Sequence, residues 1–119
     1  PVHHGPIPAL AWRVEIAGKQ IVFSGDMNND NGTLAILAKQ ADLLVAHHAV
    51  PEGTRGIARN LHMPPSVIGQ IAAKARVKQM VLSHRMNRTL GQERISTEQI
   101  RQQYNGPMQF ANDLQCFRL

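Results

Sequence analysis

Apolar residues fall in short runs separated by turn-forming clusters, and the spacing inside the runs changes along the chain. Ala9 to Ile16 reads as a strand, and Lys19 to Ser24 (KQIVFS) reads as a second. Ala17-Gly18 between them predicts the turn of a hairpin. Gly25-Asp26 ends the second strand, and Met27 to Gly32 is polar and turn-forming. From Thr33 the apolar positions are Leu34, Ile36, Leu37, Ala38 and Ala41, which is helical spacing with Asn31 or Thr33 as N-cap. Asp42 leads into LLVA, a short buried strand. His47 to Met63, with Pro51, Gly53 and Gly56, predicts a loop long enough to suggest function. Pro64-Pro65-Ser66 opens a second helix, because proline suits a first helical turn. Val67, Ile68, Ile71, Ala72 and Ala75 give that helix an apolar face. Lys78 to Ser83 (KQMVLS) predicts a strand, Gln92 to Tyr104 a helix, and Met108 to Ala111 and Leu114 to Phe117 two terminal strands. Helices alternating with strands predict a layered α/β fold, a mixed sheet covered by helices.

A chain of 119 residues with 43% hydrophobic and 18% charged residues suits one domain, or part of one, with a real core. No apolar stretch approaches the roughly 20 residues a membrane span needs, so no membrane role is expected. The net charge of +5 favours anionic partners, with Arg76, Lys78, Arg85 and Arg88 the densest basic cluster. One Trp and one Tyr make a poor stacking platform for single-stranded nucleic acid, so nucleic acid is a weakly supported partner. The single cysteine, Cys116, excludes an internal disulfide and is expected to be a buried small hydrophobe near a strand end. The chain opens at Pro1 without a leader-like segment and reads as beginning in mid-domain. A cytoplasmic location is the default expectation, with a secreted or periplasmic one left open.

The histidines, six in number, say most by position. His4 precedes the first strand, His62 stands at the opening of the second helix, and Asp26 and His84 directly follow two apolar strands. Ligands of open α/β sheets gather at the carboxyl ends of strands. Imidazole and carboxylate are common ligands of zinc and also suit manganese or iron. The residues alone leave alternatives open: Asp26 to Asn29 is also plain turn chemistry, and His84 also reads as a loop histidine. Of the adjacent pairs His3-His4 and His47-His48, one member each need face a site. No dinucleotide, P-loop, H-E-x-x-H or G-x-S-x-G motif occurs.

PVHHGPIPALAWRVE, IVFSGD, LHMPPSVIGQIAAKA and VKQMVLSH, in that order, resemble the later half of a metallo-β-lactamase-fold hydrolase, nearest the ribonuclease Z-like and arylsulfatase-like branch. The resemblance covers about residues 1 to 90. It implies half of an αββα sandwich, with residues 1–119 as the C-terminal half of the domain. The family hallmark H-x-H-x-D-H is absent, so the missing N-terminal half is an implied partner. The resemblance also implies two divalent metal ions, zinc first. His4 matches a ligand of the first metal, Asp26 the carboxylate bridging both, and His84 a ligand of the second. His62 matches the extra histidine of the ribonuclease Z-like branch, placed near the scissile phosphate and able, when protonated, to pass a proton to the leaving oxygen. Met27 stands where relatives carry Thr, and Met63-Pro64 where they carry Ser-Thr. The implied activity is cleavage of a phosphodiester or another ester by a metal-bound hydroxide. An anionic substrate would find Arg55 and Arg59 on the loop from Val50 to Leu61. The competing expectations are a non-catalytic half-domain that homodimerises or docks a partner, and a basic nucleic-acid-binding domain.

Overall fold

The computed structural model describes residues 1–119. Strands β1 (Trp12–Ile16) and β2 (Lys19–Phe23) form an antiparallel hairpin, with Trp12 opposite Phe23 and Ile16 opposite Lys19. Its turn is Ala17-Gly18, both at positive φ (48° and 73°), the backbone hand that matches strand twist in two-residue hairpins. Helix α1 (Thr33–Leu37) then returns the chain to β3 (Leu43–His47). Helices α2 (Ile57–Leu61) and α3 (Pro65–Ala75) lead to β4 (Met80–Ser83), and α4 (Glu93–Arg101) leads to β5 (Met108–Phe110). The sheet runs β1-β2-β3-β4-β5, antiparallel between the first pair and parallel thereafter. The expected mixed α/β sheet is therefore present.

The differences from expectation have local causes. The first strand is shorter because Ala9 leaves the ladder to bridge Val2. Helix α1 stops at Leu37, where Arg13 of β1 donates to the carbonyls of Leu37 and Lys39 at 2.8 and 3.1 Å. Those end carbonyls have no partner inside the helix, so the guanidinium closes it. The stretch expected to be a loop from His47 to Met63 contains α2, a helix with no buried residue and hence no apolar periodicity to reveal it. Leu114 to Phe117 forms no strand. Leu114 sits at positive φ and fully exposed beyond the sheet edge, so its apolar side chain has nothing to pair against. Cys116, expected to be buried, is exposed for the same reason.

The main core cluster lies on one face of the sheet, while Leu43 of β3 and Val81 of β4 are buried on the other. Val22, Leu44, Ala46, Met80 and Leu82 point to the first face and pack against Leu34 of α1, Ile68, Ile71 and Ala72 of α3, and Ile100 of α4. Gly69 lets α3 approach α4: a Cβ there would lie 2.8 Å from the Ile100 carbonyl oxygen. Alternation sends Trp12, Val14 and Ile16 of β1 and Phe23 of β2 to the opposite face. No helix covers them, and Trp12 and Ile16 are 60% and 61% exposed. The result is one helical layer on one sheet, with the other face left open and apolar over β1 and the end of β2.

Candidate metal centre

Because β2, β3 and β4 are parallel, the segments that follow them emerge at one edge of the sheet. β2 delivers Asp26 two residues after Ser24, β3 ends at His47, and β4 is followed directly by His84. His84 takes a left-handed backbone (φ 50°), costly for a side chain with a Cβ, and its Nε2 lies 3.3 Å from Asp26 Oδ2. His62 enters from the junction of α2 and α3, and His4 from the segment before β1. The His62 ring centre is 5.1 Å from that of His4, 5.3 Å from His47 and 6.3 Å from His84. The structure thus brings together His4, Asp26, His62 and His84, the residues singled out in the sequence, and of the pair His47-His48 it is His47 that joins them.

Each adjacent pair divides its members. His4 turns inward, while His3 turns to Asn28 and Asp30. His47 faces the cluster, while His48 is enclosed on the other side, 3.0 Å from Ser96 Oγ and beside the Phe110 ring.

Hydrogen bonds set the histidine tautomers. A carbonyl only accepts, so His4 Nδ1–H donates to the Leu61 oxygen at 2.7 Å and the neutral ring keeps a lone pair on Nε2. This is the usual arrangement that orients a metal-binding imidazole. His47 is satisfied at both ends instead. Its Nε2 accepts the Met63 N–H at 3.4 Å, and its Nδ1–H points to Ser24 Oγ at 3.3 Å. Ser24 Oγ also accepts the His47 backbone N–H and donates to the Gly25 carbonyl. Burial pushes His47 down to about 4, with Asp26 partly offsetting it. His47 is therefore a neutral strut between β2, β3 and the turn at Met63. His62 differs again: its buried Nδ1 has no partner. Burial holds His62 below its ordinary value and the Asp26 charge partly restores it, while Arg88 adds to the depression. The neutral imidazole is the favoured resting form.

Residues 1–85 match the family described as the beta-lactamase superfamily domain. The chain belongs to the beta-lactamase superfamily. Among solved structures it is similar to the metallo-beta-lactamase fold protein YhfI from Bacillus subtilis, with TM-score 0.77 and 21% identity over 92% of this chain. At that identity the likeness concerns the fold. The chain spans 43% of that protein's length. A search of the curated proteins returns no match.

Members of this superfamily often bind divalent metals, and the donor chemistry here fits part of such a site. Asp26 offers a carboxylate, His84 faces it, and His4 has its tautomer fixed with Nε2 bare. No three imidazole, carboxylate or thiol side chains form a closed set, so a metal would need donors from outside these residues. Two further residues shape the site. Ser24 reads in sequence as a strand end, and only its place beside Gly25-Asp26 signals a role. Asn28 reads as turn chemistry, and nothing in the sequence marks what it touches.

Proposed function

We propose that this chain is the C-terminal half of a metal-dependent hydrolase domain of the ribonuclease Z-like branch, cleaving a phosphodiester or another ester. The observation that carries the reading is the meeting of His4, Asp26, His62 and His84 at one edge of a superfamily fold. In this reading His4, Asp26 and His84 are the residues of this chain that would hold a pair of divalent metals. Zinc is the first choice, with manganese or iron as alternatives. When bound, such a pair supplies hydroxide near neutral pH and neutralises charge at the scissile group.

The chain's own residues do the rest. The Asp26 carboxylate offsets metal charge, and the Leu61 carbonyl keeps His4 aimed. His62, neutral at rest with a free buried Nδ1, would take the proton that the attacking water gives up and pass it to the leaving oxygen. Arg59 and Arg88 have no carboxylate partner and sit beside this centre, which supports an anionic substrate. The remaining ligands, in an H-x-H-x-D-H segment, come from an N-terminal half that packs its own sheet on Trp12, Val14, Ile16 and Phe23. Packed sheets in sandwiches bury such faces against one another.

The open face and the incomplete donor set also favour a second reading, a non-catalytic module that homodimerises through the same face. Asp26→Asn in the full-length protein separates the two. Under the hydrolase reading it should lower bound zinc and reduce hydrolysis of bis(4-nitrophenyl) phosphate at least ~100-fold. Unchanged metal content and rate would refute that reading. A full-length protein that is metal-free, inactive on the same substrate and homodimeric in native mass spectrometry would establish the second.

A further inference from the structure

We infer that Asn28 is a positioning residue that holds the segments carrying His4, Asp26 and His62 in register. The inference rests on reading those side chains as one centre. Asn28 lies two residues after Asp26 and is 1% exposed. Its polar atoms are all engaged. Its backbone N–H donates to the His3 carbonyl at 2.8 Å, which fixes the segment carrying His4. Its Nδ2 donates to the Asn60 carbonyl at 2.7 Å, two residues before His62. The same Nδ2 lies 2.8 Å from both His3 Nδ1 and Asp30 Oδ2, which are 3.7 Å apart and share its second hydrogen. Its Oδ1 accepts the Asp30 N–H, and its carbonyl accepts from Arg59 of α2.

The chemistry restricts the side chain. Only a primary amide of this length offers two donors and an acceptor from one carbon. Aspartate keeps the shape and the acceptor but loses both donors. The tie to Asn60 matters beyond its own energy, because the next residue, Leu61, provides the carbonyl that fixes the His4 tautomer. Asn28 therefore reaches His4 from both sides, through the His3 backbone and through the Asn60-Leu61 segment. Superfamily membership says nothing of this link.

The test uses Asn28→Asp in the full 119-residue chain, without metal or substrate, read by imidazole nitrogen NMR at pH 7.5. Wild type should show His4 protonated on Nδ1 and His3 on Nε2. In Asn28→Asp, at least half of His4 should move to the Nε2–H form favoured by a free imidazole. His48, buried against Ser96 on the other side of the sheet, should keep its wild-type signals and so report an intact fold. His3→Ala, which leaves the Asn28–Asn60 bond in place, should leave His4 on Nδ1. Wild-type His4 signals in a folded Asn28→Asp chain would overturn the inference. Loss of the His48 signals as well would make Asn28 a residue of the whole fold and would equally overturn it. A chain that binds no zinc leaves this result standing, so the two readings fail separately.

Discussion

Gly25→Ala should destabilise the chain by roughly 2–5 kcal/mol, combining a left-handed backbone cost of about 1–2 with overpacking of about 1–3. Gly25 sits at φ 60°, and a Cβ there would lie 2.3 Å from the Leu10 carbonyl oxygen. That oxygen belongs to backbone, so it cannot swing away as a side-chain tip would. The hairpin entrance and the β2 exit cross at this point, and Gly25 leads directly into Asp26. Gly18→Ala is the control: its φ is 73°, but nothing lies within 4 Å of the added carbon. It should cost only about 1–2 kcal/mol, the backbone part alone. Urea unfolding measures both, and a Gly25→Ala loss no larger than that of Gly18→Ala would refute the crossing argument.

Acidification from pH 7.5 to 4.5 should remove several kcal/mol of stability. Burial pushes both His47 and His48 down to about 4 from an ordinary 6.5. Between those values the unfolded chain binds protons that the folded chain refuses. Stability is therefore full above pH 6.5 and falls as pH drops toward 4. Each residue contributes about 3 kcal/mol across the whole window. His62 shifts in the same direction and adds to the loss. His48→Gln deletes one titration, so its acid loss should be smaller by about 2–3 kcal/mol over the same interval. Comparing unfolding free energies at the two pH values cancels any constant cost of the substitution. Equal acid losses in the two proteins would refute the assignment.

The sequence carried the sheet well because β2, β3 and β4 are short apolar runs bounded by turn residues, and those features are local. It carried Asp26 and His84 for the same reason, since each follows such a run. It missed α2, whose side chains bury nothing and so leave no period to read. It misread Leu114 to Phe117, where apolar composition suggested a strand that has no neighbour to pair with. His47 and His48 could not be told apart until the sheet fixed which side each faces. Asn28 was invisible because its partners lie 25 and 32 residues away in sequence. Contacts at that separation are decided by tertiary packing, which no local pattern encodes.

The open face of the sheet has a thermodynamic consequence. Any partner that covers Trp12, Val14, Ile16 and Phe23 would bind the folded chain and not the unfolded one. Mass action then makes the midpoint of unfolding depend on the concentration of that cover. A partner at 100 times its dissociation constant adds about 2.7 kcal/mol. A melting temperature for this chain therefore describes a solution composition as much as a molecule, and it should rise with protein concentration wherever the cover is a second copy.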